Sequence, residues 1–447
     1  MTSTIRSPAM APGRIPVLGH ASHMKRRPGE FLLSLQCGET VTTIQLGREL
    51  MYVVNNPELI RQVLRDADTF ARGGPITERF RLMFGNGLGI SDGKLHRRQR
   101  ALIQPAFYPK RIIHYASLMS GVVASKVNSW QDGQQLAVDK EMDELALANV
   151  TQVIFSADTA LDRAQFMAAT GVVLGGMFRR VTDATGVLTR LPTPGNRRFE
   201  KAADYLRRTI NEVIGDYRAS GVDHGDLLSM MLFARGDDGE QAVTDRQLHD
   251  EVMTFFIAGS NTISNTLSWA FHALATHPEI EQRLHAEVDE VLAGRPAHYR
   301  DVSRLEYTRR VITETLRMRT QGLFLSKVTT RATELGGYHI PAGVSVLYSF
   351  HALNHNPAIH SDPETFDPDR WLPERAKAIP RGAFMPFGMG VHGCIGDQFA
   401  WTEMIISLAT IAARWRLVSV PGHEPRPKLA ITMPVDALPM TVHRRGA

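Results

Sequence analysis

The longest regular feature of the sequence is a stretch from about residue 98 to residue 317 in which apolar side chains recur mostly at helical spacing. Apolar residues that recur every three to four positions form one face of an α-helix, so this stretch must form several helices that share a core. Strand-like segments are shorter and lie at residues 41–46, 51–55 and between 328 and 348. The sequence therefore predicts a mainly α fold with small β-sheets.

The chain has 447 residues, enough for two or three ordinary domains or for one large fold. Its 43% hydrophobic and 22% charged residues are typical of a globular protein, which excludes a disordered chain. We find no internal repeat and no clear linker. We therefore expect a single domain over residues 1–447, with a flexible N-terminus at about residues 1–11.

The net charge of +5 comes from scattered basic pairs rather than from a tail of the kind that binds nucleic acid. Two interpretations remain open: the positive surface aids solubility, or it steers an acidic partner to one face. Two cysteines, Cys37 and Cys394, are too few for a disulfide framework. No apolar run approaches the ~18 residues of a membrane span, and no signal-peptide core is evident. We expect a cytoplasmic protein with no membrane span and no nucleic-acid partner.

A glycine-rich segment at residues 387–396 places Cys394 just before a predicted helix that runs from about residue 396 to residue 415. Amide groups and the dipole at a helix N-terminus stabilise negative charge, which favours the thiolate form of the cysteine. Glycines let the backbone come close to a large flat ligand. On the cysteine and glycines alone, a buried apolar cysteine in a tight turn is the more frequent alternative.

The spacing FxxGxxxCxG at residues 387–396 resembles the heme-binding signature of the cytochrome P450 superfamily, in which the cysteine thiolate is the axial iron ligand. The resemblance implies the cytochrome P450 fold, heme b as cofactor and O2 as co-substrate. It assigns Cys394 to the iron and Phe387, Gly388 and Gly396 to the heme. A thiolate ligand pushes electron density onto iron and favours O–O cleavage.

Two more segments resemble the ExxR and PxxFxPxRW motifs of the same family. Glu314 and Arg317 are three residues apart on a predicted helix, so their side chains share a face and can pair. Arg370, in the segment at residues 363–371, would be the third member. A lone ExxR is usually a surface ion pair, but together the motifs imply a structural triad that supports the cysteine loop.

The predicted helix at residues 245–277 contains a segment, 258–262, that resembles the oxygen-activating segment of the family. The resemblance assigns a catalytic role to Thr262. Asn261 stands where the family usually has an acid, and an amide cannot gain or lose a proton at neutral pH. We assign Asn261 to the catalytic site as an organiser of hydrogen bonds, and the route of protons stays open. The alternative is a helix–helix crossing at the small residues Ala258 and Gly259.

The resemblance also assigns four side chains to the heme propionates. Residues 93–100 resemble the C-helix pattern, in which His96 and Arg100 at positions i and i+4 supply two donors to one anion. His392, two residues before the cysteine, matches a further propionate position. Lys327 stands where the family usually has an arginine, and Arg331 is the alternative; lysine keeps the charge but loses the bidentate fork.

The residues expected around the substrate are mostly apolar, which suits a hydrocarbon-like ligand. They are Phe255, Ala258, Gly259, Thr262, Thr266, Leu323, Phe324 and Leu325. The sequence is also similar to actinobacterial sesquiterpene oxygenases at residues 96–100, 103–107, 177–180 and 190–192. This similarity implies a terpene hydrocarbon, in particular a sesquiterpene, while fatty acids, macrolides and steroids remain open.

Together these resemblances imply a heme-thiolate monooxygenase that oxidises a hydrophobic small molecule. The resemblance also implies that electrons come from a ferredoxin-type donor, which agrees with the absence of a flavin or nicotinamide motif: no GxGxxG follows a strand in this chain. Two alternatives remain open. Asn261 favours a peroxide-driven or isomerising enzyme, and it would also be tolerated by a heme-thiolate sensor or ligand carrier without turnover.

His351 and His355 have the i, i+4 spacing of a metal-binding pair. No third ligand is evident nearby, and there is no HExxH motif. We therefore interpret them as solvent-exposed side chains.

Overall fold

The computed structural model describes residues 6–154, 162–183, 189, 191–235 and 242–446. Residues 1–5 of the predicted flexible N-terminus lie outside the described residues. The helices in these ranges are α1 (Ala21–Arg26), α2 (Pro28–Ser34), α3 (Pro57–Arg65), α4 (Gly74–Phe84), α5 (Gly93–Ile103), α6 (Pro109–Asn128), α7 (Val138–Ile154), α8 (Arg163–Thr182), α9 (Pro194–Ser220), α10 (Leu227–Leu232), α11 (Asp245–Thr276), α12 (Pro278–Leu292), α13 (Glu306–Met318), α14 (Phe350–Asn354), α15 (Pro373–Ala376) and α16 (Asp397–Ala412).

The strands of the described residues are short and form three small sheets. They are β1 (Val41–Leu46), β2 (Glu49–Val54), β3 (Phe70–Ala71), β4 (Gln135–Ala137), β5 (Leu325–Thr329), β6 (Thr333–Leu335), β7 (Tyr338–Ile340), β8 (Ser345–Tyr348), β9 (Trp415–Ser419) and β10 (Pro439–Arg444). The strand orders are β1-β2-β8-β5-β3, β4-β10-β9 and β6-β7. The prediction of a mainly α fold with small sheets is confirmed.

The last predicted helix is shorter than expected. It was predicted to reach residue 415, but α16 ends at Ala412 and Trp415 begins β9. Trp415 pairs with Arg444 of β10, and its indole nitrogen donates to the Val127 carbonyl at 3.0 Å. Pairing with a strand distant in sequence decides this boundary, and helical periodicity cannot report it.

The 32-residue helix α11 crosses the fold over about 48 Å. Its N-terminus is capped by Thr244, whose hydroxyl accepts from the Gln247 amide at 3.2 Å. Two buried serines, Ser260 and Ser268, donate to the carbonyl four residues back at 2.6 and 2.8 Å, so they add no unpaired donor to the core. The helix packs against α7, α13 and α16. It also contacts α9 and β9, and its segment from Phe255 to Thr266 borders a cavity.

α7 and α11 pack closely at one glycine. A Cβ atom added to Gly259 would lie 2.8 Å from Cγ2 of Val150, closer than real Cβ contacts. The small residue is therefore needed where the two helices cross, which is the alternative interpretation of this segment. The same segment also borders a cavity, so the two interpretations hold together.

The interpretation of His351 and His355 as solvent-exposed is wrong. Their rings lie 4.4 Å apart between centroids, and His355 is 5% exposed. Nδ1 of His355 lies 2.8 Å from a Glu364 carboxylate oxygen, and Nε2 lies 3.1 Å from the Met318 carbonyl. Within the described ranges no group of three or more potential ligands could hold a metal ion. The pair is part of the packing between α13 and α14.

None of the helices in the described residues is both long and apolar enough to span a lipid bilayer.

Candidate active site

A cavity of 340 Å³ lies between α11 and the loop at residues 387–396. Its volume is in the range of small-molecule sites, about 300–1,000 Å³. The loop contributes Cys394, His392, Phe387, Gly388 and Gly396 to the wall. The contribution of α11 includes Phe255, Ala258, Gly259, Thr262 and Thr266. The structure thus brings the cysteine, the glycines of its loop and the small-residue segment of α11 to one cavity.

The loop before α16 is held in shape by backbone hydrogen bonds. The Cys394 amide donates to the Phe387 carbonyl at 2.8 Å. Gly390 has a φ of +71°, and a Cβ atom there would lie 2.4 Å from the Leu64 carbonyl oxygen, so only glycine fits. The Cys394 side chain is exposed where it opens onto the cavity. The sulfur is therefore presented inward, toward a ligand in the cavity.

The acidity of the Cys394 thiol differs from the sequence expectation. Burial among protein atoms raises its pKa, and the Gly396 amide and the Arg100 guanidinium offset only part of this effect. The helix N-terminus alone therefore does not lower the pKa of this thiol, contrary to expectation. A bound metal ion deprotonates a coordinating thiol outright, so iron binding would supply the missing stabilisation.

A chain of three polar side chains runs beside the loop. Lys327 Nζ lies 2.9 Å from His392 Nδ1, and His392 Nε2 lies 2.8 Å from Asp92 Oδ1. Burial would raise the Asp92 pKa, but the His392 hydrogen bond and backbone amides bring it down to about 2. The ionised Asp92 accepts from Nε2, so the neutral imidazole accepts from Lys327 at Nδ1. The alternative residue, Arg331, instead donates to Thr69 at 2.8 Å.

Further cations surround this chain. Arg100 donates to the Gly393 carbonyl at 2.8 Å, and Arg72 donates to the His392 carbonyl at 3.3 Å. The His96 ring lies 4.5 Å from the His392 ring. Burial lowers the pKa of Lys327 to about 7 and that of His96 to about 3, and nearby positive charge is the second cause of both shifts. Sequence reasoning missed Arg72 and Asp92, because neither belongs to a motif and both reach the loop through long-range contacts.

This cluster fits the propionates of a heme. Arg72, Arg100 and Lys327 supply three cationic side chains, while Asp92 is the one carboxylate within hydrogen-bond reach of the cluster in the described part of the chain. Burial and, second to it, the positive charge of Arg72 lower the pKa of Lys327, so the charged form of this lysine lacks a nearby anion that would stabilise it. A ligand with two carboxylates would supply such an anion. The charge of the cluster and the inward sulfur of Cys394 therefore suit the same flat, dianionic cofactor.

Glu314, Arg317 and Arg370 form one buried network. Arg317 makes two hydrogen bonds to the Glu314 carboxylate at 2.8 and 2.9 Å, and Arg370 Nε donates to it at 3.2 Å. The three residues are 0%, 0% and 5% exposed. Sequence reasoning missed Trp371, whose indole nitrogen donates to Glu314 at 2.9 Å. These contacts join α13 to the segment that precedes the cysteine loop.

Thr262 and Asn261 do not share a site, although the sequence analysis grouped them. Thr262 borders the cavity, and its hydroxyl donates to the Ala258 carbonyl at 2.8 Å. Asn261 is 7% exposed and is not part of the cavity wall; its Oδ1 accepts from Thr432 at 2.6 Å and from Asn265 at 3.3 Å. Neighbouring positions on a helix point about 100° apart, which separates the two side chains. Asn261 is a link between α11 and the C-terminal segment.

Leu323 and Phe324 do not border the cavity, contrary to expectation. Gly322 has a φ of +127° and turns the chain before β5. Leu323 is buried, and Phe324 packs on the cluster formed by the N-terminal helices and β1–β2. Leu325 takes the expected place in the wall. Sequence reasoning also missed wall residues whose position depends on tertiary packing, among them Phe107, Val150, Ile154, Gln321 and Met404.

A cysteine that faces a mostly apolar cavity, with basic side chains beside its loop, is the arrangement expected of a heme-thiolate protein. Residues 8–438 match the protein family described as Cytochrome P450. The chain belongs to this family and is a cytochrome P450 monooxygenase. Membership implies a heme held by a cysteine thiolate and the use of O2.

Three bacterial proteins are similar over nearly their whole length. Cyclooctat-9-en-7-ol 5-monooxygenase of Streptomyces melanosporofaciens is 43% identical, over 92% of this chain and 90% of its own. Cyclooctatin synthase of the same organism is 42% identical, over 95% of this chain and 93% of its own length. Pentalenene oxygenase of Streptomyces avermitilis is 38% identical, over 95% and 94%.

Proposed function

We propose that the protein hydroxylates a terpene at a C–H bond, with heme b as cofactor and a ferredoxin-type protein as electron donor. One C–H bond of the substrate becomes C–OH, and the second atom of O2 leaves as water after two electrons and two protons are taken up. The observation that carries the proposal is the apolar cavity in which Cys394 and Thr262 face the same space. The names of two similar proteins, an oxygenase of pentalenene and a monooxygenase of cyclooctat-9-en-7-ol, support the substrate class.

The bound cofactor supplies the reduction of O2 and the transfer of one of its oxygen atoms. The residues of this chain bind the cofactor and orient the substrate. Cys394 would ligate iron, while Lys327, Arg100 and Arg72 would hold the propionates. Ala258 and Gly259 leave room against α11, and Thr262 supplies a hydroxyl at the edge of that room.

Purified holoprotein, incubated with a reduced ferredoxin, O2 and a panel of terpenes, tests the proposal. We expect at least one terpene to displace the iron-bound water and to yield an alcohol that carries one atom from 18O2. Absence of binding and product across hydrocarbons and alcohols of 10, 15 and 20 carbons would overturn the terpene assignment.

A second candidate is an enzyme driven by hydrogen peroxide. In the described residues the cavity wall contains no aspartate or glutamate, so no carboxylate there can relay a proton to oxygen. Peroxide already carries the electrons and protons that the other route must deliver. Product formed from peroxide at the rate seen with reduced ferredoxin, or faster, would favour this candidate.

A further inference from the structure

A small hairpin at residues 15–19 carries apolar side chains into solvent. The Ile15 amide donates to the Gly19 carbonyl at 2.9 Å, and the Gly19 amide donates to the Ile15 carbonyl at 2.8 Å. At its tip Val17 is 82% exposed, and Ile15 and Leu18 beside it are 41% and 40% exposed. Apolar side chains that are exposed singly are common on proteins, whereas a contiguous group marks a contact site.

The turn holds Val17 outward at a conformational cost. The Leu18 amide donates to the Pro16 carbonyl at 2.7 Å, which closes a γ-turn around Val17. The φ of Val17 is +66°, a left-handed conformation that a β-branched residue rarely adopts. Such a conformation persists only where the surrounding structure fixes it, and it is concentrated at functional sites. The exposure of this valine is therefore imposed by the turn.

The base of the hairpin is fixed to the sheet. Gly19 has a φ of +63°, and a Cβ atom there would collide with the Gln45 carbonyl oxygen. That carbonyl accepts from the amide of the buried His20 at 2.6 Å. The Gly47 amide donates to the Leu18 carbonyl at 3.2 Å. The tip therefore keeps one orientation relative to β1 and β2.

The turn between β1 and β2 extends the apolar surface. Leu50 is 47% exposed and pairs with Gln45 across the two strands, so the two side chains share one face of the sheet. The Arg14 guanidinium donates to Gln45 Oε1 at 2.6 Å. Arg14 and Leu50 therefore both lie beside Gln45, next to the hairpin. We call the group formed by Ile15, Val17, Leu18 and Leu50 the tip surface.

Cations without ion-pair partners surround the tip surface. Arg14 and Arg48 are exposed, and neither forms an ion pair within the described ranges. The same holds for Lys25 and Arg26 on α1, the helix that follows the hairpin. Against these cations the β1–β2 turn contributes one carboxylate, Glu49. Apolar side chains bordered by unpaired positive charge match a lipid surface, in which acyl chains lie beneath negatively charged headgroups.

We infer that the tip surface docks on a membrane that contains anionic lipid, as a peripheral contact. Val17 enters the region of the acyl chains, while Arg14 and Arg48 contact the headgroup phosphates. A protein partner would need a pocket shaped for the protruding tip, whereas a lipid layer adapts to it. The inference goes beyond the proposed function and does not depend on it. Docking would also bring the protein to the layer in which apolar molecules concentrate.

Sedimentation of the heme-loaded protein with sucrose-filled vesicles tests the inference. Vesicles of phosphatidylcholine and phosphatidylglycerol in equal amounts are compared with vesicles of phosphatidylcholine alone. At low salt we expect binding to the mixed vesicles to be tighter by about tenfold or more. High salt should remove most of this difference, because it screens the attraction between exposed cations and headgroups.

Two variants separate the apolar and the charged contributions. Val17→Asn removes the apolar tip and suits the turn, since asparagine adopts left-handed φ values more readily than valine. It should weaken binding to mixed vesicles by about tenfold. Val222→Asn, at an exposed valine between α9 and α10, is its matched control. Arg48→Gln should weaken binding by about fivefold, whereas Arg304→Gln, at another exposed arginine, should bind as the wild type does.

The inference is overturned if the wild type does not bind mixed vesicles at low salt, or if it binds both kinds of vesicle equally. It is also overturned if Val17→Asn binds as tightly as the wild type. Weaker binding of Val17→Asn to a ferredoxin-type protein, with vesicle binding unchanged, would identify the tip surface as a protein interface instead. None of these results alters the test of terpene oxidation, so the proposed function stands or falls separately.

Discussion

Thr432 Oγ1 donates a 2.6 Å hydrogen bond to Asn261 Oδ1 and thereby ties the middle of α11 to the segment between β9 and β10. Asn261 directly precedes Thr262, so this link fixes the helix where the threonine borders the cavity. Asn261 thus connects two segments of the fold, and Thr262 is the residue of the pair that borders the cavity.

Thr262→Ala should bind substrate as the wild type does, since it removes one hydroxyl from an otherwise apolar part of the wall. Loss of a positioned proton donor should reduce product per electron pair by about tenfold or more and divert the remainder to hydrogen peroxide. Product and peroxide, both measured against reduced ferredoxin consumed, check this. Ser260→Ala, which removes a buried hydroxyl of α11 outside the cavity, is the matched control. Full coupling in Thr262→Ala would favour the peroxide-driven candidate.

Asn261→Asp should fold and stay coupled. A carboxylate oxygen can accept the Thr432 and Asn265 hydrogen bonds as the amide oxygen does. Burial raises the pKa of a carboxyl group, and the charge is not directed at the cavity. We expect product per electron pair within about twofold of wild type, measured as for Thr262→Ala. A large rise in coupling would instead place this side chain on the proton route.

Cys394→Ser should abolish the strong red shift of the Soret band in the reduced, CO-bound protein, because the thiolate ligand produces that shift. Cys37→Ser, which changes the other cysteine of the chain, is the control and should leave the spectrum unchanged. A red-shifted band in Cys394→Ser would show that the ligand is misassigned.

Glu314→Ala should leave Arg317 and Arg370 buried without their carboxylate, a loss of about 3–5 kcal/mol in the free energy of unfolding. The yield of heme-loaded protein and its unfolding midpoint measure the effect. Glu78→Ala, which breaks the exposed pair with Arg81, should change neither. Stable, heme-loaded Glu314→Ala protein with slowed turnover alone would contradict a purely structural role.

The pH dependence of stability should change in Glu251→Gln. Burial raises the pKa of Glu251 to about 8, and its Oε2 accepts from the Leu88 amide at 2.8 Å. The folded state therefore keeps a proton that the unfolded chain loses near pH 4.5. The wild type should lose stability relative to Glu251→Gln, on the order of 5 kcal/mol, as the pH rises from 4.5 to 8. Denaturant unfolding of both proteins at several pH values measures this difference, and a constant difference would show that Glu251 is ionised throughout.

The sequence predicted those features in which a few neighbouring residues carry the signal. The cysteine loop, the Glu314–Arg317 pair and the long helix α11 each combine residue type with short spacing. In the structure Glu314 and Arg317 are paired, and α11 runs from Asp245 to Thr276. Such patterns are readable because local geometry determines which side chains share a face.

The features that escaped prediction depend on contacts between distant segments. Asp92 meets His392 across 300 positions of sequence, and Gln321 meets Thr266 of α11 across 55 positions. Leu323 and Phe324 lie outside the cavity although Leu325 borders it as predicted, because Gly322 turns the chain before β5. Spacing along the sequence contains no information on where such segments meet.

The contact between Gly259 and Val150 limits how this cavity can be remodelled. Both residues belong to the wall, so a side chain larger than hydrogen at position 259 would displace Val150 or α7 itself and change the shape of the cavity at this crossing. Variants designed for bulkier substrates should therefore keep Gly259 and Val150. They should begin with smaller residues at Leu325 and Phe107, which belong to the wall but not to α7 or α11.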